Sequence, residues 1–112
     1  MKIRIKLNKY EYICEERKML GECIGLMFSK KKNLMFRYDN ERLLSYHMLF
    51  VFFPIWCVYL DKYFFVTKID KLKPFTSISY GKAKYVLELY EEPDFDVGDY
   101  IKYLYKFIKR ND

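Results

Sequence analysis

The chain has one histidine, His47, and three cysteines, Cys14, Cys23 and Cys57. Any Ser-His-Asp or Cys-His arrangement must use His47, and a metal site built on several histidines is ruled out. Cys57 lies ten residues further on, across Pro54. Strands pairing across that proline would bring thiol and imidazole together. The alternative is a histidine satisfied within a sheet and a cysteine used as a small hydrophobe. The apolar surroundings favour the second, because a reactive thiolate needs an electropositive, partly exposed setting.

Carboxylates gather between Glu88 and Asp99, where oxygen ligands could hold a hard cation. Their spacing does not fit a calcium loop: Gly98 is misplaced and the closing Glu is absent. A solvated turn is the better reading, and no metal or cofactor is expected. Lysines present a third chemistry. Lys2, Arg4 and Lys6 open the chain and Lys30, Lys31 and Lys32 form a run. Together they could contact phosphates while exposed rings stack on bases. No ribonucleoprotein, KH or helix-turn-helix signature accompanies them. A Gly-rich phosphate loop, a nucleophile elbow and HExxH are also missing, which removes support for nucleotide hydrolysis and the common hydrolases.

These groups must be positioned by a small chain. Its 112 residues suit a single domain over 1–112 with one core. The net charge of +6 suits an anionic partner, either nucleic acid or a phosphorylated ligand. Three cysteines, none in a CxxC pair, argue against a disulfide framework and for a reducing, cytoplasmic compartment. Residues 1–9 alternate charged with apolar, so no signal-peptide core is expected there.

The central stretch is Leu43 to Leu60, eighteen residues without a formal charge. That length raises a transmembrane helix. Pro54 near its middle and its wealth of aromatic and β-branched residues favour strands instead. Aromatics make up 21% of the chain, with a single Ala, which tilts the whole composition toward sheet. Lys2 to Leu7 alternates as a half-buried strand. Tyr10, Tyr12 and Cys14 continue the pattern. Met19, Leu20, Cys23, Ile24 and Met27 lie at helical spacing and predict one short helix near 15–24. Leu34 to Tyr38 predicts a strand, and Asp39-Asn40 a turn. Leu43 to Phe52 and Ile55 to Leu60 predict two core strands, followed by a turn at Asp61-Lys62 and a strand over Tyr63 to Ile69. Tyr80-Gly81 marks a loop. In Ala83 to Leu89, alternation puts Ala83, Tyr85, Leu87 and Leu89 on one face and Lys84, Val86 and Glu88 on the other. Tyr100 to Lys109 fits helix and strand equally. The sum is a mainly β protein, a small closed or rolled barrel of about seven or eight short strands.

Several fragments also line up in order: Ile24 to Phe28, Leu34 to Phe36, His47 to Ile55, Leu60 to Lys62, Leu72 to Phe75, Ala83 to Leu89 and Val97 to Asp99. Together they resemble the family called domain of unknown function 192, from about Ile24 to Ile101. The archaeal branch is nearest, since His47-Met48 and the following FFPI run stand where bacterial members tend to carry a Trp-Met-Lys-Asn motif. Two departures stand out. Trp56 occupies a place where the family usually has Asp. Only Tyr90 to Asp96 separates two motifs that relatives join by a longer insert. The resemblance implies a compact, mainly β fold and no assigned activity. It also draws His47, Lys84, Tyr85 and Glu88 together as residues that could line a small-ligand cleft. The expected function is thus a binding or accessory module with an anionic or small-molecule partner, more readily than an enzyme acting near His47 or a nucleic-acid binder using its lysines.

Overall fold

The computed structural model describes residues 2–7, 10–18, 31–48 and 51–104. Seven strands form the described sheet: β1 (Lys2–Leu7), β2 (Tyr10–Lys18), β3 (Leu34–His47), β4 (Ile55–Leu60), β5 (Val66–Leu72), β6 (Ile78–Leu89) and β7 (Lys102–Leu104). Their order is β5-β4-β6-β3-β2-β1-β7, an open sheet with β5 and β7 at its edges. Every neighbouring pair is antiparallel except β2 with β3. One isolated bridge, Phe65 to Tyr100, joins the segment ahead of β5 to the segment ahead of β7. No helix occurs among the described residues, and none there is long and apolar enough to cross a membrane.

The ladder overrides local spacing in several places. The helix expected near 15–24 is contradicted at its start: Glu15 to Lys18 end β2 and pair with Leu34 to Arg37 of β3. Glu15 also pairs with Lys2 of β1. Backbone partners on both sides outweigh a helical pattern of side chains. Residues 19–24 lie outside the described residues. The turn expected at Asp39-Asn40 is a bulge inside β3. Arg37 faces Tyr85 and Arg42 faces Ala83, so five steps on β3 oppose two on β6. Extra residues on one strand bend an antiparallel pair. The loop expected at Tyr80-Gly81 is the interior of β6. The first expected core strand stops at His47, well before Phe52. Pro54 sits immediately ahead of β4, at a strand start where its missing N–H does no harm to the ladder. Of the Tyr100–Lys109 stretch, Lys102 to Leu104 is strand, and 105–109 lie outside the described residues.

Both faces of the sheet are covered. Leu34, Phe36, Tyr46, Ile55, Cys57, Tyr59 and Val86 form one buried cluster. Met35, Val58, Leu60, Tyr85, Leu87 and Leu89 belong to the other. This explains why β4 reads as an unbroken apolar run rather than an alternating one. Burying each of the larger aliphatic side chains contributes about 1.5–3 kcal/mol. Ala83 packs in the same cluster as Val86. The strict alternation expected over Ala83 to Leu89 therefore breaks between Ala83 and Tyr85, beside the β3 bulge.

Candidate functional site

On the first face, β4 sits between two strands that carry charge. Cys57 stands directly opposite Asp70 of β5 and Glu88 of β6. Tyr59, two residues along, stands opposite Lys68 and Val86. The bend in the long β3–β6 pair then brings the first half of β6 over Tyr59. Ser79 Oγ lies 2.6 Å from Tyr59 Oη and 2.5 Å from Asp70 Oδ2.

The protons in this chain have a direction. A carboxylate only accepts, so the single Ser79 proton goes to Asp70. Tyr59 must then donate to Ser79. Lys68 closes the outer end, with Nζ 3.3 Å from Asp70 Oδ2 and 2.5 Å from the Tyr80 carbonyl. The chain runs from a half-exposed ion pair to a phenol in the core. It ties the edge strand β5 to the curled half of β6.

Beside it, Cys57 and Glu88 are buried. Burial pushes the Cys57 thiol well above its ordinary range, the Glu88 charge adds to this, and hydrogen bonding with Tyr59 opposes it. The Tyr59 phenol is raised as well, mainly by burial. Cys57 is therefore a thiol at neutral pH and not a nucleophilic thiolate. Cys14, in the second cluster, is pushed up to about 12 by burial alone.

The residues singled out from the sequence are spread along the sheet. His47 pairs with Ile78 at one end of β6, whereas Glu88 pairs with Leu34 near the other. β6 separates β3 from β4, so no ladder joins His47 to Cys57. Lys84 is half-buried, its Nζ 5.5 Å from the centre of the Tyr85 ring. Tyr85 is buried and stacks on Phe64 at 4.2 Å. Lys2, Arg4 and Lys6 lie on β1, next to β7. Lys31 and Lys32 lie just ahead of β3, which β2 separates from β1. Lys30 lies outside the described residues. The acidic segment forms a turn: the Asp96 amide donates to Asp99 Oδ2 at 2.9 Å, and Gly98 takes φ 97°. Among the described residues no group of acidic, cysteine or histidine side chains could hold a metal ion.

Tyr59, Ser79, Asp70 and Lys68 were not legible as a group, because nothing in their sequence spacing announces it. A second arrangement was legible only in part. Residues 43–60 carry no formal charge, and residues 71–87 carry Lys71, Lys73, Lys82 and Lys84 and no carboxylate. Strand pairing assembles these stretches into one region, through β3 with β6 and β4 with β5 and β6. Lys71, Lys73 and Lys82 are exposed. The same pairings bring in Asp70, which is tied to Lys68, and buried Glu88, so the exposed charges contributed by these two stretches themselves are lysines.

Residues 17–98 match the family model for domain of unknown function 192, described as Uncharacterized ACR. Two solved structures are similar over nearly the whole chain. A protein from Sinorhizobium meliloti, provisionally named a transcription regulator, aligns with TM-score 0.82 at 17% identity, covering 92% of this chain and 94% of that one. A protein of unknown function from Novosphingobium aromaticivorans aligns with TM-score 0.74 at 16% identity, covering 90% of this chain and 83% of that one. At such identities the likeness concerns the fold. No curated protein matches the chain.

Proposed function

The chain belongs to the domain of unknown function 192 family, and since that membership brings no activity with it, we propose from the molecule's own geometry that it is a binding module for an anionic partner. The observation that carries this reading is the lysine-only region formed by residues 43–60 and 71–87. An excess of exposed ammonium groups attracts phosphate-bearing partners and accelerates their encounter, and the nearby Asp70 is already paired with Lys68. The polar chain from the half-exposed Lys68 to the buried Tyr59 is read as the fastening that holds the bent β3–β6 pair over β4 and β5. On this reading the sheet is rolled, the chain is a single domain of the archaeal type, and its setting is cytoplasmic. The provisional name of the Sinorhizobium meliloti protein is compatible with an anionic partner.

The test is titration of heparin and of a labelled oligothymidylate at low salt. Binding that weakens steeply with added salt supports the proposal. Absence of binding to either polyanion, and to anionic vesicles, overturns it.

A further inference from the structure

Phe52 is 62% exposed and Phe75 is 47% exposed. Their rings meet edge to face, 5.1 Å between centres and 84° between planes. Both stand on short segments at the end of the β3–β6 pair, and one carbonyl organises both. Met48 O accepts from the Val51 amide and from the Phe75 amide, each at 3.0 Å. The Met48 amide donates in turn to the Ser77 carbonyl at 3.2 Å. On either side of Phe52, Val51 and Phe53 are buried, which fixes Phe52 outward. Phe75 has φ 67°, a conformation that favours glycine, yet the position holds a bulky ring and presents it to solvent.

The surroundings say what such a tip would meet. Exposed Ile78 and Tyr80 extend the apolar surface along β6. Exposed Lys71 and Lys73 shortly precede Phe75 in sequence, and Lys71 Nζ lies 5.2 Å from the centre of the half-buried Trp56 ring. Two exposed phenyl rings, with an indole and lysines close to them in sequence, supply the groups an anionic bilayer surface takes up: hydrocarbon, interface, headgroup. The edge-to-face contact occupies one ring face of the pair that a base would otherwise use for stacking.

We propose that Phe52 and Phe75 are interfacial anchors that dock this end of the protein onto an anionic lipid surface, with Lys71 and Lys73 on the headgroups. The proposal rests on the anionic-partner reading and makes it specific. Docking of this kind needs no spanning segment, and two shallow rings with two lysines give reversible attachment.

Co-sedimentation tests it, using phosphatidylcholine vesicles with and without phosphatidylglycerol. The protein should pellet with the anionic vesicles and stay in solution with the neutral ones. Phe52→Ser and Phe75→Gly should each weaken partitioning roughly tenfold, the worth of withdrawing a phenyl group from the interface. The melting temperature should hold or rise, because Phe75→Gly relieves the backbone. Heparin binding should be unchanged in both variants. If heparin or oligothymidylate binds and anionic vesicles do not, the lipid proposal falls while the anionic-partner reading stands. If vesicles bind equally well with either Phe variant, the anchors are wrong. If the Phe variants instead dissociate a dimer with no change in vesicle binding, the pair is a self-association surface and the proposal is overturned.

Discussion

The ring of Tyr59 lies so close to Gly81 that a methyl group added there would sit 2.8 Å from two of its carbons. Glycine lets the curled half of β6 settle onto this ring, in the arrangement where Tyr59 Oη reaches Ser79. Gly81→Ala should therefore cost about 1–3 kcal/mol through overpacking. Thermal unfolding should register a drop of roughly 4–8 °C per kcal/mol. Gly98→Ala is the instructive comparison. It meets nothing within 4 Å but requires φ +97°, so its cost, about 1 kcal/mol, is conformational.

The donor order in the polar chain predicts unequal substitutions. Tyr59→Phe removes a donor and leaves Ser79 still bonded to Asp70, a loss of about 1 kcal/mol. Ser79→Ala leaves a buried phenol without its acceptor and should cost about 1–3 kcal/mol. Combining the two should cost less than their sum, as expected of groups in direct contact. Urea denaturation of the four proteins measures the coupling: strict additivity would refute the Tyr59–Ser79 bond, and equal costs of the two single substitutions would refute the assigned order.

The turn at Asp61 is held by its own carboxylate. Asp61 Oδ1 accepts from the amides of Tyr63 at 2.8 Å and Phe65 at 3.0 Å. That turn also meets the Val97–Asp99 turn, since the Val66 amide donates to Asp99 O and the Gly98 amide to Val66 O. Asp61→Ala should destabilise by about 1–2 kcal/mol, while Asp61→Asn, which keeps an acceptor, should cost markedly less. Chemical denaturation distinguishes them.

The buried thiols set an alkaline limit. Folding raises the Cys14 thiol from 9.0 to about 12, so between those values the unfolded chain releases a proton that the folded chain keeps. The unfolded state then binds fewer protons, and stability falls as pH rises through that window. The expected slope from this one group is about 1.4 kcal/mol per pH unit. Cys14→Ala should flatten the decline by that amount. Urea denaturation across the alkaline range measures it, and an unchanged slope would contradict the assignment.

How much of this could be read from the sequence varies with the range of the interactions. The alternation of Lys2 to Leu7 and the apolar run of Ile55 to Leu60 predicted strands correctly, the first by its strand period and the second by its β-branched and aromatic composition. Asp39-Asn40 and Tyr80-Gly81 misled for a shared reason. Their composition is that of turns, but one supplies a bulge and the other a seat for Tyr59, both required by contacts far away in sequence. Glu15 to Lys18 misled because two neighbouring strands decide their conformation. The polar chain was invisible: Tyr59 and Ser79 are twenty residues apart and meet only because β3 and β6 bend. The lysine bias of residues 71–87 was present in the sequence, whereas its union with the uncharged 43–60 stretch needed the strand register.

The most direct test of the central claim is where the charge acts. Heparin titration should compare Lys71→Glu/Lys82→Glu with Lys62→Glu/Lys102→Glu, a pair outside residues 43–60 and 71–87 that makes the same change in net charge. The account predicts that the first pair lowers affinity roughly tenfold or more, at about 1 kcal/mol per lysine, and reduces the salt slope, while the second changes both far less. Equal losses from the two pairs would mean that net charge alone governs binding, and the lysine-only region would lose its role.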